Sequence, residues 1–354
     1  MEDKMNIDVT TTNNQLTSDI VLQVKDLKTH FDLEEGLLKA VEGVSFSLRQ
    51  GKTLGIVGES GSGKSLSAQT IMRIVPPHAK LGGEVLLKRR RKGKDDKIVN
   101  VIGLPLNSPE MRDIRGGEIA MIFQEPMKAF SPIYTIGNQV SEAILLHSNV
   151  NKEEAKKIAI ESLRKVGMSN PEQRFDEYPH QLSGGMRQRA MIAMALSCKP
   201  SILIADEPTT ALDVTVQAQV LQLINELKDS LNTSVIFITH DLGVIAEIAD
   251  EVAVMYLGEV VEYTDVDTLF HNPLHPYTKA LLKSIPSTAN RHEKLESIKG
   301  TVPTPINLPE GCRFYTRCKY AVDGVCNDND IQLTSVNEKH DVRCVRWDEI
   351  EEEG

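Results

Sequence analysis

Gly58, Glu59, Ser60, Gly61, Ser62, Gly63, Lys64 and Ser65 stand in the spacing G-x-x-x-x-G-K-[ST]. Each residue type there answers a need of a bound nucleoside triphosphate. The three glycines remove side-chain bulk, so successive backbone N–H groups can curl around phosphate oxygens. Lys64 supplies positive charge for the β- and γ-phosphates. The Ser65 hydroxyl suits Mg²⁺, a hard cation that takes oxygen ligands.

A second set of polar residues follows short apolar runs. Asp206 and Glu207 come directly after residues 201–205. A carboxylate at the end of a parallel strand beside a phosphate loop can hold Mg²⁺, and its neighbour can polarise an attacking water. His240 follows the run 235–239 and can reach the γ-phosphate or that water. Gln124 ends the run 119–123, where a neutral amide can touch both metal and water. Ser183, Gly184 and Gly185 open a helix and form another anion-binding terminus. One nucleotide need not use both elements. One of them is therefore expected to face a partner's nucleotide.

These residues need a scaffold that brings strand ends together. Residues 53–57, 118–123, 201–205, 234–239 and 252–255 read as short buried strands, with helices between several of them. The helix after the phosphate loop is expected over 66–74. The pattern predicts an α/β fold with a parallel sheet covered on both faces. Residues 132–183 carry no strong strand. Asn151 can cap a helix with Glu154 at its third position, Ala155, Ile158, Ala159, Leu163 and Val166 form its apolar stripe, and Gly167 ends it. From about His271 prolines become frequent (Pro273, Pro276, Pro286, Pro303, Pro305, Pro309) and strand signals fade, as in a linker and a small appended module.

The composition sets bounds. A chain of 354 residues is ample for a large core. Its net charge of −10 disfavours nonspecific nucleic-acid binding. The basic run from Lys88 to Lys94 lacks interleaved aromatics and reads as a solvated hairpin tip. No apolar run approaches the ~20 residues that span a bilayer, and the start of the chain is polar, unlike a secretory signal. Residues 1–19 read as a disordered tail. Of five cysteines, Cys198 reads as core, while Cys312, Cys318, Cys326 and Cys344 cluster near the C-terminus. Their intervals of five, seven and seventeen residues contain no C-x-x-C pair, which argues against an ordinary zinc ribbon. Four thiolates can hold a 4Fe–4S cluster. A zinc ion and four free thiols are the alternatives. Arg313, Arg317 and Lys319 can offset a cluster's negative charge or simply be solvated.

In order, these motifs resemble the nucleotide-binding subunit of an ATP-binding cassette (ABC) transporter. The Walker A motif is Gly58 to Ser65, the Q-loop Gln124, and the signature Leu182 to Met186. Walker B ends at Asp206 and Glu207, the D-loop is Ala211, Leu212 and Asp213, and the H-loop residue is His240. Met186 stands where the commonest family form has Gln. The resemblance implies a P-loop NTPase (RecA-like) core with an antiparallel β subdomain and a helical insertion at about 132–185. It places the nucleotide-binding domain at 20–265 and a small metal-binding extension at 266–354. It further implies that two such domains sandwich two ATP molecules head to tail. Glu207 would be the general base and His240 would support the γ-phosphate. Lys64 would bind phosphate, and Ser65 and Gln124 would hold Mg²⁺. Asp206 would reach the metal through water. Ser183 and Gly185 would serve the site across the interface. Phe31 is the candidate for stacking on adenine, with plain packing as the alternative.

The segments 123–127, 132–137, 272–282 and 311–314 are similar to the D-type ATPase of oligopeptide and dipeptide permeases. That resemblance implies the 4Fe–4S cluster, a homologous F-type ATPase as partner, two transmembrane permease subunits and an extracytoplasmic solute-binding protein. The ATPase would lie peripherally on the cytoplasmic face of the membrane. The same mechanism serves oligosaccharides, nickel complexes or opines as alternative cargo, and a soluble ATPase of repair or translation is the more distant reading. Residues 88–107 are longer and more charged than the family's usual linker.

Overall fold

Apolar runs buried on both faces build the centre of this protein. Its computed structural model describes residues 16–89, 96–210, 212–285, 298–306, 308, 310–328 and 330–350. The expected tail up to residue 15, Arg90 to Lys94, Ala211, Pro286 and Pro309 lie outside the described residues. In chain order the strands are β1 (Ile20–Leu33), β2 (Gly36–Arg49), β3 (Thr53–Val57), β4 (Lys80–Arg89), β5 (Lys97–Asn100) and β6 (Ile119–Ile122). There follow β7 (Ile202–Asp206), β8 (Ser234–Thr239), β9 (Glu251–Tyr256), β10 (Glu259–Asp265), β11 (Thr334–Asn337) and β12 (His340–Val342).

The main sheet runs β11-β12-β10-β9-β3-β8-β7-β6. Its middle, from β9 to β6, is parallel, as the buried runs predicted. A second, antiparallel sheet of order β2-β1-β4-β5 lies against it. Successive side chains of the parallel strands sort into two cores. Leu54, Ile56, Ile202, Ile204, Ile236 and Ile238 pack with the antiparallel sheet and the helix Lys64–Ile71. Leu203, Ala205, Val235 and Phe237 pack with the helices on the other face. Fully burying each Leu or Ile contributes roughly 2 kcal/mol.

The insertion is helical. Ile136–His147, Lys152–Lys165 and Pro171–Phe175 precede the helix Gly184–Leu196. Asn151 Oδ1 accepts from the Glu154 N–H at 3.0 Å, and Glu154 Oε2 accepts from the Asn151 N–H at 3.1 Å. This is the expected capping box. Gly137 permits a close approach, since a Cβ there would stand 2.2 Å from the Phe175 ring.

Three sequence expectations change. The basic run is not merely a solvated tip: Arg89 is buried, with Nε 2.5 Å from Glu118 Oε1 and Nη1 2.9 Å from Glu110 Oε1. Arg313 and Arg317 are not solvated either, but paired with Glu259 and Glu59. The C-terminal extension also carries strands. β12 pairs antiparallel with β10 and so lengthens the main sheet. Glu262 of β10, fully buried, fastens this junction. Its carboxylate accepts from the Leu274 and His275 N–H groups at 2.7 and 2.9 Å and lies 2.8 Å from His340 Nε2.

Glu262→Ala should therefore cost roughly 3 kcal/mol or more, because it strands several buried donors at once. The checks are the denaturant midpoint and protease cleavage within the extension. A midpoint unchanged from the parent chain would show that Glu262 fastens nothing.

Candidate nucleotide site and cysteine module

The phosphate loop leaves β3 at Gly58 and enters the helix Lys64–Ile71. Neighbouring backbone dictates two of its glycines. A Cβ at Gly58 would stand 2.1 Å from the Met255 carbonyl oxygen, and one at Gly63 2.7 Å from that of Ala40. Gly63 also has φ of 93°, in the region that favours glycine. Ser60 and Gly61 are exposed, while Ser62 is buried.

Lys64 is buried, and its Nζ donates to the carbonyls of Gly58 and Glu59 at 2.8 and 3.0 Å. Burial pulls its pKa down, against the charges of Glu207, Asp206 and Glu59. Ser65 Oγ donates to Asp206 Oδ1 at 2.7 Å, which joins the phosphate loop to the end of β7. Two oxygen donors meet here, of the kind Mg²⁺ takes. Burial pushes the Asp206 carboxyl above its ordinary value, although the Ser65 hydrogen bond opposes the shift.

Glu207 sits at φ 45°, an uncommon left-handed conformation for a non-glycine residue. Its N–H donates to the Ile238 carbonyl of β8 at 2.9 Å. Three side chains hold its carboxylate. Gln124 Nε2 and Thr210 Oγ1 donate at 2.8 and 2.9 Å, and His240 Nδ1 lies 3.4 Å away. Burial raises its pKa, but the hydrogen bonds from Thr210 and His240, with the nearby positive charges, outweigh burial and hold it below the usual range. Glu207 is thus a carboxylate at neutral pH, as a base requires.

The structure brings Ser65 to Asp206 and brings Gln124 and His240 to Glu207, with the Lys64 charge felt by both carboxylates. Ser183 and Asp213 have different local duties. Ser183 caps the helix Gly184–Leu196, its Oγ accepting from the Met186 N–H at 3.3 Å. Ser183 and Gly184 are exposed, and a Cβ at Gly185 would lie 3.3 Å from Val216. Asp213 caps the helix Val214–Leu231 through the Val216 N–H at 3.0 Å. Phe31 is buried, its ring edge-on to His78 at 5.6 Å between centroids. Sequence reasoning missed Thr210, which lies only three residues after Glu207. It also missed Tyr277, whose hydroxyl accepts from the Glu59 N–H at 2.9 Å.

Cys312, Cys318, Cys326 and Cys344 line one cavity together with His275 and Phe314. Burial and the neighbouring cysteines push the Cys312 thiol up to about 12, and burial is also the main cause that lifts Cys344 to about 11. Cys198 stands apart, within reach of the Ala143 carbonyl. His275 Nδ1 accepts from the Tyr277 N–H at 3.1 Å, and burial lowers the ring's pKa to about 4. The neutral ring therefore carries its proton on Nε2. The ring, with the Arg343 backbone as a further hydrogen-bonding neighbour, lines the cavity beside the four sulfurs. Among the described residues no three His, Cys, Asp or Glu side chains are arranged as a metal-holding group. The small C-terminal module is thus present, but its metal-binding character is not shown.

The fold and the site define an ATP-binding cassette ATPase, an enzyme that hydrolyses ATP. The ABC transporter family matches residues 41–210, and the C-terminal region of oligopeptide/dipeptide transporters matches residues 261–326. The oligopeptide transport ATP-binding protein AppD of Bacillus subtilis is 49% identical over 332 residues, 93% of this chain and 97% of that protein. The dipeptide transport ATP-binding protein DppD of Escherichia coli is 44% identical over 324 residues, 92% of this chain and 96% of that one. A dimeric ATP-binding cassette in a post-hydrolysis state, bound to ADP and phosphate, superposes with a TM-score of 0.60 at 27% identity, covering 69% of this chain and 98% of that chain. The chain belongs to the ATP-binding subunits of the oligopeptide and dipeptide ABC transporters. Among the described residues no helix is long and apolar enough to cross a membrane.

The raised Asp206 pKa gives a signed prediction. A carboxyl whose folded pKa is raised costs stability as pH rises through that value. Asp206→Asn should then raise the melting temperature of the nucleotide-free chain at neutral pH by a few degrees while abolishing turnover. A lower melting temperature would contradict the assigned cost.

Proposed function

We propose that this chain powers uptake of oligopeptides or dipeptides by closing on ATP against a second, homologous F-type ATPase. Two membrane permease subunits would carry the solute, supplied by an extracytoplasmic binding protein. The chain would work at the cytoplasmic face of the membrane. The peptide cargo rests on the curated relatives, which are oligopeptide and dipeptide transport proteins over nearly their full length.

One observation carries the paired mechanism. In this reading the nucleotide chemistry is split into two halves. In one, Ser65 meets Asp206, Gln124 and His240 meet Glu207, and both carboxylates feel the Lys64 charge. Ser183 is exposed, and its hydroxyl is engaged with its own helix. An anion-binding helix start left facing outward suits a nucleotide held by another chain. In this reading Lys64 and the loop's N–H groups bind phosphate, and Ser65 and Gln124 hold Mg²⁺. Asp206 reaches the metal through water. Glu207 takes a proton from the attacking water, and His240 steadies the γ-phosphate. Ser183, Gly184 and Gly185 meet the partner's ATP, and Asp213 serves the same nucleotide contact.

Glu207→Gln keeps the shape and hydrogen-bonding capacity but loses the base. ATP should still bind, while turnover in the assembled transporter falls by roughly 10²-fold or more. Wild-type turnover in that variant would remove Glu207 from the base role.

The four cysteines would hold a 4Fe–4S cluster, which would crosslink a module with little core of its own. Protein purified without oxygen should be brown and contain iron and acid-labile sulfide. Cys326→Ser should lose both and melt at lower temperature. Stoichiometric zinc in a colourless protein would replace the cluster with a single ion.

A further inference from the structure

Arg317 stands one residue before Cys318, on the short turn Tyr315–Arg317. Its guanidinium reaches out of the cysteine module into the phosphate loop. Nη1 lies 2.6 Å from Glu59 Oε2, and Nη2 3.1 Å from Glu59 Oε1. The pair is bidentate, and the Arg317 side chain is only 4% exposed. Nη1 also donates to Tyr256 Oη at 3.3 Å, and Nε to the Lys299 carbonyl at 3.1 Å.

All three polar parts of Glu59 are therefore engaged. The extension takes two of them, the carboxylate through Arg317 and the N–H through Tyr277. The third, the carbonyl, accepts from Lys64. The negative charge of Glu59 is felt at Lys64, where it favours the protonated amine. An acid in a phosphate loop is an electrostatic liability, because it repels the anion the loop must bind. A bidentate arginine cancels that charge and fixes the loop's backbone at the same point.

We infer that Arg317 is a positioning residue for the nucleotide: it neutralises Glu59 and braces the phosphate loop, so that the C-terminal module sets the chain's affinity for ATP. This rests on the reading that the loop around Lys64 binds the phosphates of ATP. The coupling is local and needs no movement of the module. Any change that withdraws Arg317 would expose the Glu59 carboxylate to the phosphates.

The test measures Mg·ATP affinity by calorimetry on the full chain, and kcat at saturating ATP in the assembled transporter. Arg317→Ala should weaken ATP binding about tenfold, the effect of one uncompensated charge roughly 12 Å from the bound phosphates at an effective dielectric of about 20. Its kcat should stay within roughly twofold, because the hydrolytic residues are untouched. Adding Glu59→Gln to Arg317→Ala should restore affinity to within about threefold, since the unpaired charge is gone. Arg317→Lys should fall between parent and Ala, keeping charge but losing the fork. Parent-like affinity in Arg317→Ala would overturn the inference. So would a loss that Glu59→Gln fails to relieve, because the effect would then be general destabilisation. Lys64→Ala separates the two levels. If ATP binds normally without Lys64, the assignment of the phosphate site fails; if binding is lost while Arg317→Ala is silent, only the role of Arg317 fails.

Discussion

The in-register parallel pairing of β3, β8 and β7 is the constraint on which the site depends. Val57 pairs with Thr239, and Asp206 with Ile238. Three chain segments therefore leave the sheet at one level: the phosphate loop after Val57, the carboxylates at the end of β7, and His240 after β8. A one-residue slip in any of these pairs would turn every side chain to the other face. The two cores prevent that slip, since Ile204 belongs to one and Leu203 to the other. Packing on both faces thus holds Ser65 Oγ and Asp206 Oδ1 2.7 Å apart.

That precision holds charges where the fold alone would not place them. Lys64 and Asp206 are both buried, and burial disfavours the charged form of each. Glu207 adopts a left-handed backbone and accepts hydrogen bonds from three directions. Its N–H bond to Ile238 ties that conformation to β8. Strain and desolvation concentrated at strand ends are offset by the apolar sheet beneath them. A phosphate anion and a divalent cation are the natural counter-charges for such an arrangement.

The C-terminal extension belongs physically to this core. Its hairpin lengthens the main sheet through β10, and buried Glu262 fastens the chain at Leu274, His275 and His340. Tyr256, Tyr277 and Phe314 pack tilted or edge-on with their centroids about 5 Å apart, filling the space between β9 and the cysteine module. Arg313 and Arg317 each reach back to a carboxylate of the nucleotide-binding part. The cysteine cavity and the phosphate loop are thereby joined through side chains of only a few residues.

The sequence by itself determined the nucleotide chemistry and its scaffold. The loop spacing from Gly58 to Ser65, the buried runs that became β3, β7 and β8, and the capping box at Asn151 are all local signals. Each lies within a few residues of chain, where sterics and hydrogen bonding act directly. The polar residues after those runs were legible because a strand end fixes its successor's position. Tertiary structure alone decided the rest. Arg317 meets Glu59 across 258 positions of chain. β12 has three residues and β11 is largely exposed, so neither shows an apolar period. Arg89 sits in a charged run, yet becomes buried because Glu110 and Glu118 come to it from another segment. A charge carries no record in the chain of which distant charge will neutralise it. Only the packing that brings the two together decides whether it is solvated, buried or set against the phosphate site.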